Sequence, residues 1–279
     1  MKLYSIPTGN FKLDGGAMFG VVPKVIWNEL YPADEKNLCN WAMRCLLVVD
    51  GDRKVLIDNG IGNKQPEKFF RHYYLNGDDT LQGSLEKNGY TPDDITDVVL
   101  SHLHFDHCGG GIKYNDDRTR LEPVFKNAVY RTSKQQWEWA TNPNRREAAS
   151  FLEENIIPMK ERLELFDHDT ELFPGFRIRL FNGHTAGQVI PFIDYKGKTV
   201  VFMADLLPST AHIPIPYVMS YDTRPLETLE EKEQFLNEAV GKDYILFFEH
   251  DIYNECCSVQ QTMKGVRVKE KFTLKDYFS

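Results

Sequence analysis

The sequence predicts an α/β fold, and two observations carry the prediction. Short apolar runs rich in Val, Ile and Leu alternate with stretches of helical periodicity. Four times such a run is followed within a few residues by His or Asp, at 98–107, 177–184, 199–205 and 244–250. Loops at strand ends are where a rigid sheet presents chemistry, so this recurrence places every candidate ligand on one edge of a layered structure.

The elements follow in order. Residues 42–49 and 54–57 are β-rich runs joined by Asp50-Gly51-Asp52-Arg53, a hairpin loop. Before them, 15–37 holds Gly15-Gly16, Pro23, Trp27 and Pro32 without regular periodicity, and is expected to cover a pocket or to contact a second copy in a homodimer. A polar helix over 80–87 leads to a short buried strand at 97–100 that delivers the first histidines. Two helices are predicted next, over 133–140 and 145–165, with Ser133 and Asn144 as caps and a break at Pro158. Strands at 177–181, 189–195 and 199–203 come after them, the last two joined at Asp194-Tyr195-Lys196-Gly197-Lys198. An amphipathic helix over 226–240 and a strand at 244–248 complete the order. No linker or repeat interrupts it, so 1–279 is read as a single domain.

Bulk properties narrow the function. The formal charge of −8 argues against a broad phosphate-binding surface, and nucleic acid is not expected as a partner. No stretch has the apolar length of a signal peptide or a membrane span, so no membrane association is expected. The five cysteines are an odd number and include no Cys-x-x-Cys knuckle. They fit reduced thiols in the cytoplasm rather than a disulfide framework or a thiolate zinc site.

The chemistry concentrates in Ser101-His102-Leu103-His104-Phe105-Asp106-His107. Imidazoles two positions apart on an extended segment project to the same side, so His102 and His104 can face one metal ion. Asp106 and His107 diverge from that pair and can serve a second ion, and Asp205, at the end of another strand, suits a carboxylate shared by both. Isolated histidines such as His72 and His168 read as surface or hydrogen-bonded residues. The different-class alternative is a metal-stabilised binding module without turnover, but a closed structural site needs only four ligands.

His102-x-His104-x-Asp106-His107 followed by glycines resembles the signature of the metallo-β-lactamase superfamily. Further matches are His184 in Asn182-Gly183-His184, Asp205 in Met203-Ala204-Asp205 and His250 in Glu249-His250-Asp251, so the likeness runs from about residue 43 to 250. It implies a four-layer αβ/βα sandwich with two zinc ions, or other divalent transition metals, at one edge of two facing sheets. It also implies His102, His104 and His184 on the first ion, Asp106, His107 and His250 on the second, Asp205 bridging, and Asp58 supporting a ligand from behind.

Within the superfamily the stretches 15–20 and 205–212 are most similar to the branch holding N-acyl-homoserine lactone lactonases and methyl-parathion-hydrolase-like enzymes. That implies a quorum-quenching lactonase in which a metal-bridging hydroxide opens the lactone ring and Asp106 passes the proton to the leaving oxygen. The alternative is an aryl esterase or phosphotriesterase of the same fold. One departure stands out: lactonases of this branch carry a tyrosine three residues after the bridging aspartate, and this chain has Pro208. His212 is expected to donate to the substrate carbonyl in its place. Met18, Phe19, Trp27 and Tyr217 are expected to line an apolar acyl pocket. A glyoxalase II fits less well, since only a short tail follows His250, where that enzyme carries a helical domain.

Overall fold

A computed structural model describes all 279 residues. The chain forms two large mixed sheets and a two-stranded antiparallel ribbon of Ile112–Tyr114 and Leu121–Pro123. The first has six strands in the order Lys2–Asp14, Leu38–Asp50, Arg53–Ile57, Asp97–Val99, Val129–Ser133, Leu163–Phe166. The second has seven, in the order Gly265–Phe272, Cys256–Thr262, Ile245–Phe247, Lys198–Phe202, Gln188–Tyr195, Phe176–Phe181, Thr170–Phe173. No helix is long and apolar enough to cross a membrane.

The chain divides into two compact units, neither of them continuous in sequence. One comprises Met1–Asn10, Met43–Asp169 and Gly187–Val189, the other Phe11–Ala42, Thr170–Ala186 and Ile190–Ser279. In the first, Val98, Leu100, Leu103, Phe125 and Tyr130 are fully buried beside Leu47 and Leu56 of the opening hairpin. Continuous apolar runs of this kind suit parallel strands covered on both faces, and Arg53–Ile57, Asp97–Val99, Val129–Ser133 and Leu163–Phe166 are parallel neighbours. In the second unit, Pro225–Lys242 buries Phe235, Leu236 and Ala239, and Phe235 meets Phe192 edge-on at 6.2 Å between centroids.

Most predicted elements stand within a residue or two of their expected bounds. The two predicted hairpins form, and Lys196 and Gly197 both take positive φ (48° and 79°), as a tight two-residue turn requires. Thr80 and Ser133 cap their helices through side-chain oxygens. The expected helix over 145–165 does not exist. Its residues break into a tight turn at Ala148–Ser150, one α-turn at Glu153–Ile156, a 3-10 stretch at Ile157–Arg162 and an edge strand at Leu163–Phe166. Pro158 has no N–H for an α-helical bond, and 163–166 pairs in parallel with 130–133 instead. The 15–37 segment, expected to be irregular, contains two short helices, Gly15–Phe19 and Lys24–Leu30.

Candidate metal centre

Strand direction positions the ligands. Arg53–Ile57 and Asp97–Val99 run parallel with Ile57 opposite Val99, so Asp58 and Ser101 leave the sheet at the same edge. Asp58 Oδ1 accepts from Ser101 N (2.7 Å) and Oδ2 accepts from Ser101 Oγ (2.5 Å) and His107 Nδ1 (3.0 Å). One buried carboxylate thereby holds the start and the end of the histidine run. His104 ends the extended segment and Phe105–Cys108 makes a single helical turn carrying Asp106 and His107. The glycines after it permit close backbone approach: a Cβ on Gly110 would lie 2.0 Å from Asn59 O.

In the same way Lys198–Phe202 and Ile245–Phe247 are parallel, and Asp205 and His250 follow their ends at one edge of the second sheet. Ala204, immediately before Asp205, has φ of 40°, left-handed backbone that a residue with a Cβ seldom adopts.

Each of the five histidines has one ring nitrogen tied down on its outer side. His102 Nδ1 lies 3.0 Å from Ser101 Oγ, His107 Nδ1 is on Asp58, His184 Nδ1 is 2.9 Å from Asp222 Oδ1 and His250 Nδ1 is 2.8 Å from Ala42 O. His104 is held by the opposite nitrogen, with Nε2 3.0 Å from Glu147 Oε1. Carboxylates and backbone carbonyls only accept, and the Ser101 hydroxyl is already donated to Asp58, so in all five rings the outer nitrogen carries the proton.

When the rings are neutral the inner nitrogens are acceptors, and they face other acceptors. In the first unit His102 Nε2 and His104 Nδ1 are 3.0 Å apart, and His107 Nε2 is 3.6 Å from Asp106 Oδ2. In the second, Asp205 Oδ2 is 3.1 Å from His184 Nε2 while Asp205 Oδ1 is 3.1 Å from His250 Nε2. Acceptor against acceptor at such distances repels unless a cation lies between. Nitrogens and carboxylate oxygens about 2.0 to 2.2 Å from a tetrahedral zinc ion sit roughly this far from each other. The donor set therefore fits borderline divalent metals of the zinc type.

His212 does not offer what was expected of it. Its ring is 1% exposed, with Nε2 donating to Met18 O (2.9 Å) and Nδ1 accepting from Ser209 Oγ (2.8 Å), so no N–H remains for a substrate carbonyl. Burial pulls its pKa down to about 3, against the partly compensating bond to Met18. The imidazole is a structural layer, stacked 4.6 Å from Phe19, whose other face stacks on Trp27 at 5.0 Å. Met18, Phe19 and Trp27 are likewise buried. Tyr217 stays half-buried and lines a cavity of about 750 Å³ with Tyr31, Ile213, Tyr253 and Arg267.

Two residues of the arrangement escaped the sequence reading. Glu147 falls inside the expected helix 145–165, and Asp222 follows a loop with no periodicity. Neither belongs to a spacing pattern, because a carboxylate that supports a histidine from behind can come from anywhere in the chain.

A family model described as the metallo-beta-lactamase superfamily matches residues 44–250. The chain belongs to the metallo-β-lactamase superfamily. Among curated members it is 26% identical over 268 residues to the N-acyl homoserine lactonase of Bacillus thuringiensis, covering 91% of this chain and 94% of that one. The corresponding lactonase of Bacillus cereus is 25% identical over the same length. The metallo-β-lactamase fold is also that of a solved probable metal-dependent hydrolase from Staphylococcus aureus, with a TM-score of 0.89, 30% identity and coverage of 98% and 96% of the two chains. AidC, a dizinc quorum-quenching lactonase solved with a bound product, superposes with a TM-score of 0.80 at 22% identity over 97% and 95% of the chains. As a superfamily member with this donor set, the protein is a metal-dependent hydrolase.

Proposed function

We propose that this hydrolase holds two zinc ions and opens the lactone ring of N-acyl-homoserine lactones. The observation that carries the binuclear reading is Asp205, whose two oxygens each lie 3.1 Å from a different histidine. In this reading His102 Nε2, His104 Nδ1 and His184 Nε2 hold the first ion, and Asp106, His107 Nε2 and His250 Nε2 hold the second. Asp205 would serve both. Ions so held supply a water nucleophile at neutral pH and polarise the scissile carbonyl.

The chain's own residues do the rest. Asp106 takes the proton of the attacking water on a carboxylate oxygen and delivers it to the ring oxygen as the ester bond breaks. Of the residues expected to line the acyl pocket, Tyr217 is the one left half-buried, and in this reading it contacts the acyl group. His212 keeps the 209–212 loop against Met18. The lactone assignment is supported by the lactonase relatives that share nearly the full length of the chain. Five buried cysteines that form no disulfide support a reducing, cytoplasmic setting.

A second reading, aryl ester or phosphotriester hydrolysis, is favoured by one feature: neither Pro208 nor the engaged His212 provides the carbonyl donor of the lactonase branch. Purified zinc-loaded protein should be offered acyl-homoserine lactones, aryl esters and a phosphotriester while proton release is followed. Ring-opened acyl-homoserine as the fastest product is expected. Phosphotriester or aryl-ester turnover faster by orders of magnitude would transfer the assignment to the second reading. Two bound ions with no turnover at all would leave a binding module.

A further inference from the structure

His104 differs from the other four histidines in the sense of its ring. The others turn Nε2 inward and are held by Nδ1; His104 turns Nδ1 inward and is held by Nε2. Nδ1 adjoins the carbon that joins the ring to the side chain, so a ligand bound there sits close to the backbone and tolerates little rotation about the ring's χ2. Something must fix that torsion from the far side of the ring.

Glu147 is placed to do so. It is 4% exposed, and its Oε1 accepts from His104 Nε2 at 3.0 Å. Its other oxygen, Oε2, accepts from Trp139 Nε1 at 2.6 Å and from Asn144 Nδ2 at 3.1 Å, so the carboxylate is clamped before it meets the imidazole. Phe151 packs against the same ring, with centroids 4.9 Å apart.

We infer that Glu147 is a positioning residue for the first metal ion, fixing His104 in its Nδ1-inward orientation and, as an anion on the imidazole N–H, strengthening the ring as a donor. The inference rests on the metal-centre reading above. Carboxylates in this position typically contribute 10- to 100-fold in metal affinity.

The test compares zinc affinities, measured by competition with a chromophoric chelator, for wild type, Glu147→Gln and Trp139→Phe. Visible spectra of the cobalt-loaded forms and melting of the metal-free proteins complete it. Glu147→Gln should weaken one of two binding steps by roughly 10- to 100-fold, leave the other unchanged and shift the cobalt spectrum. Trp139→Phe, which removes one donor to Oε2 but keeps the carboxylate, should weaken the same step less. Unchanged affinities in Glu147→Gln, with or without a lower melting temperature of the metal-free protein, would overturn the inference and leave Glu147 a packing residue. If Glu147→Gln does not fold, wild-type affinities in Trp139→Phe overturn it equally. Wild type binding no ion would sink the metal-centre reading and this inference with it, whereas two tightly bound ions in both wild type and Glu147→Gln would sink this inference alone.

Discussion

At the scale of single residues, the proton inventory separates groups that can act from groups that only hold. His212 sits neutral in the core, its pKa pulled down to about 3 by burial, where an unfolded histidine titrates near 6.5. Between those values the unfolded chain binds a proton that the folded chain refuses. Stability from this residue is therefore fully present above about pH 6.5 and is lost as the pH falls below it, at close to 1.4 kcal/mol per unit for one proton. Comparing urea midpoints of wild type and His212→Phe from pH 7.5 to 5 should show wild type losing stability faster, since Phe preserves the stack on Phe19 without the titration. Parallel pH curves would mean that the ring is protonated inside the fold. Asp58 was legible as a supporting residue through the family resemblance of Leu56-Ile57-Asp58-Asn59-Gly60, whereas Glu147 belongs to no motif and is chosen by three-dimensional proximity alone.

At the scale of elements, the strand-then-ligand order was readable because period, composition and turn chemistry agreed, and the structure places loops where those signals placed them. The 145–165 stretch is not one helix because Pro158 has no N–H to donate within it and sheet pairing takes 163–166. The 182–184 loop shows how tightly a ligand loop can be tied to its neighbouring element. Glu231, on Pro225–Lys242, accepts from Asn182 N (2.6 Å) and Gly183 N (2.9 Å), and Gly183 O accepts from Arg224 N (2.9 Å). A Cβ on Gly183 would fall 2.5 Å from Thr228 N and Cα, backbone that cannot step aside. Gly183→Ala should therefore push the loop off the helix, destabilise the protein by about 1 to 3 kcal/mol and lower its zinc content through His184. Chemical denaturation with elemental analysis checks both effects. Wild-type stability together with full zinc would show that the loop has slack the geometry denies.

At the scale of the molecule, neither compact unit is a continuous segment, since each is assembled from three separated stretches of chain. Releasing one unit would leave several open ends rather than a linker, which is why we propose that 1–279 unfolds as a single domain. Bound at a thousandfold excess over its dissociation constant, one ion adds about 4 kcal/mol to the folded state. For large domains each kcal/mol moves the melting temperature by roughly 2 to 4 °C. Stripping zinc with a chelator should thus lower the single melting transition by on the order of 10 °C, and returning zinc should restore it. Asp205→Asn keeps the shape and removes the shared charge. It should therefore lose more zinc by elemental analysis than His250→Ala, in which only one ion loses a ligand. Equal zinc content in the two variants would mean that Asp205 serves one ion, and the binuclear reading would fall with it.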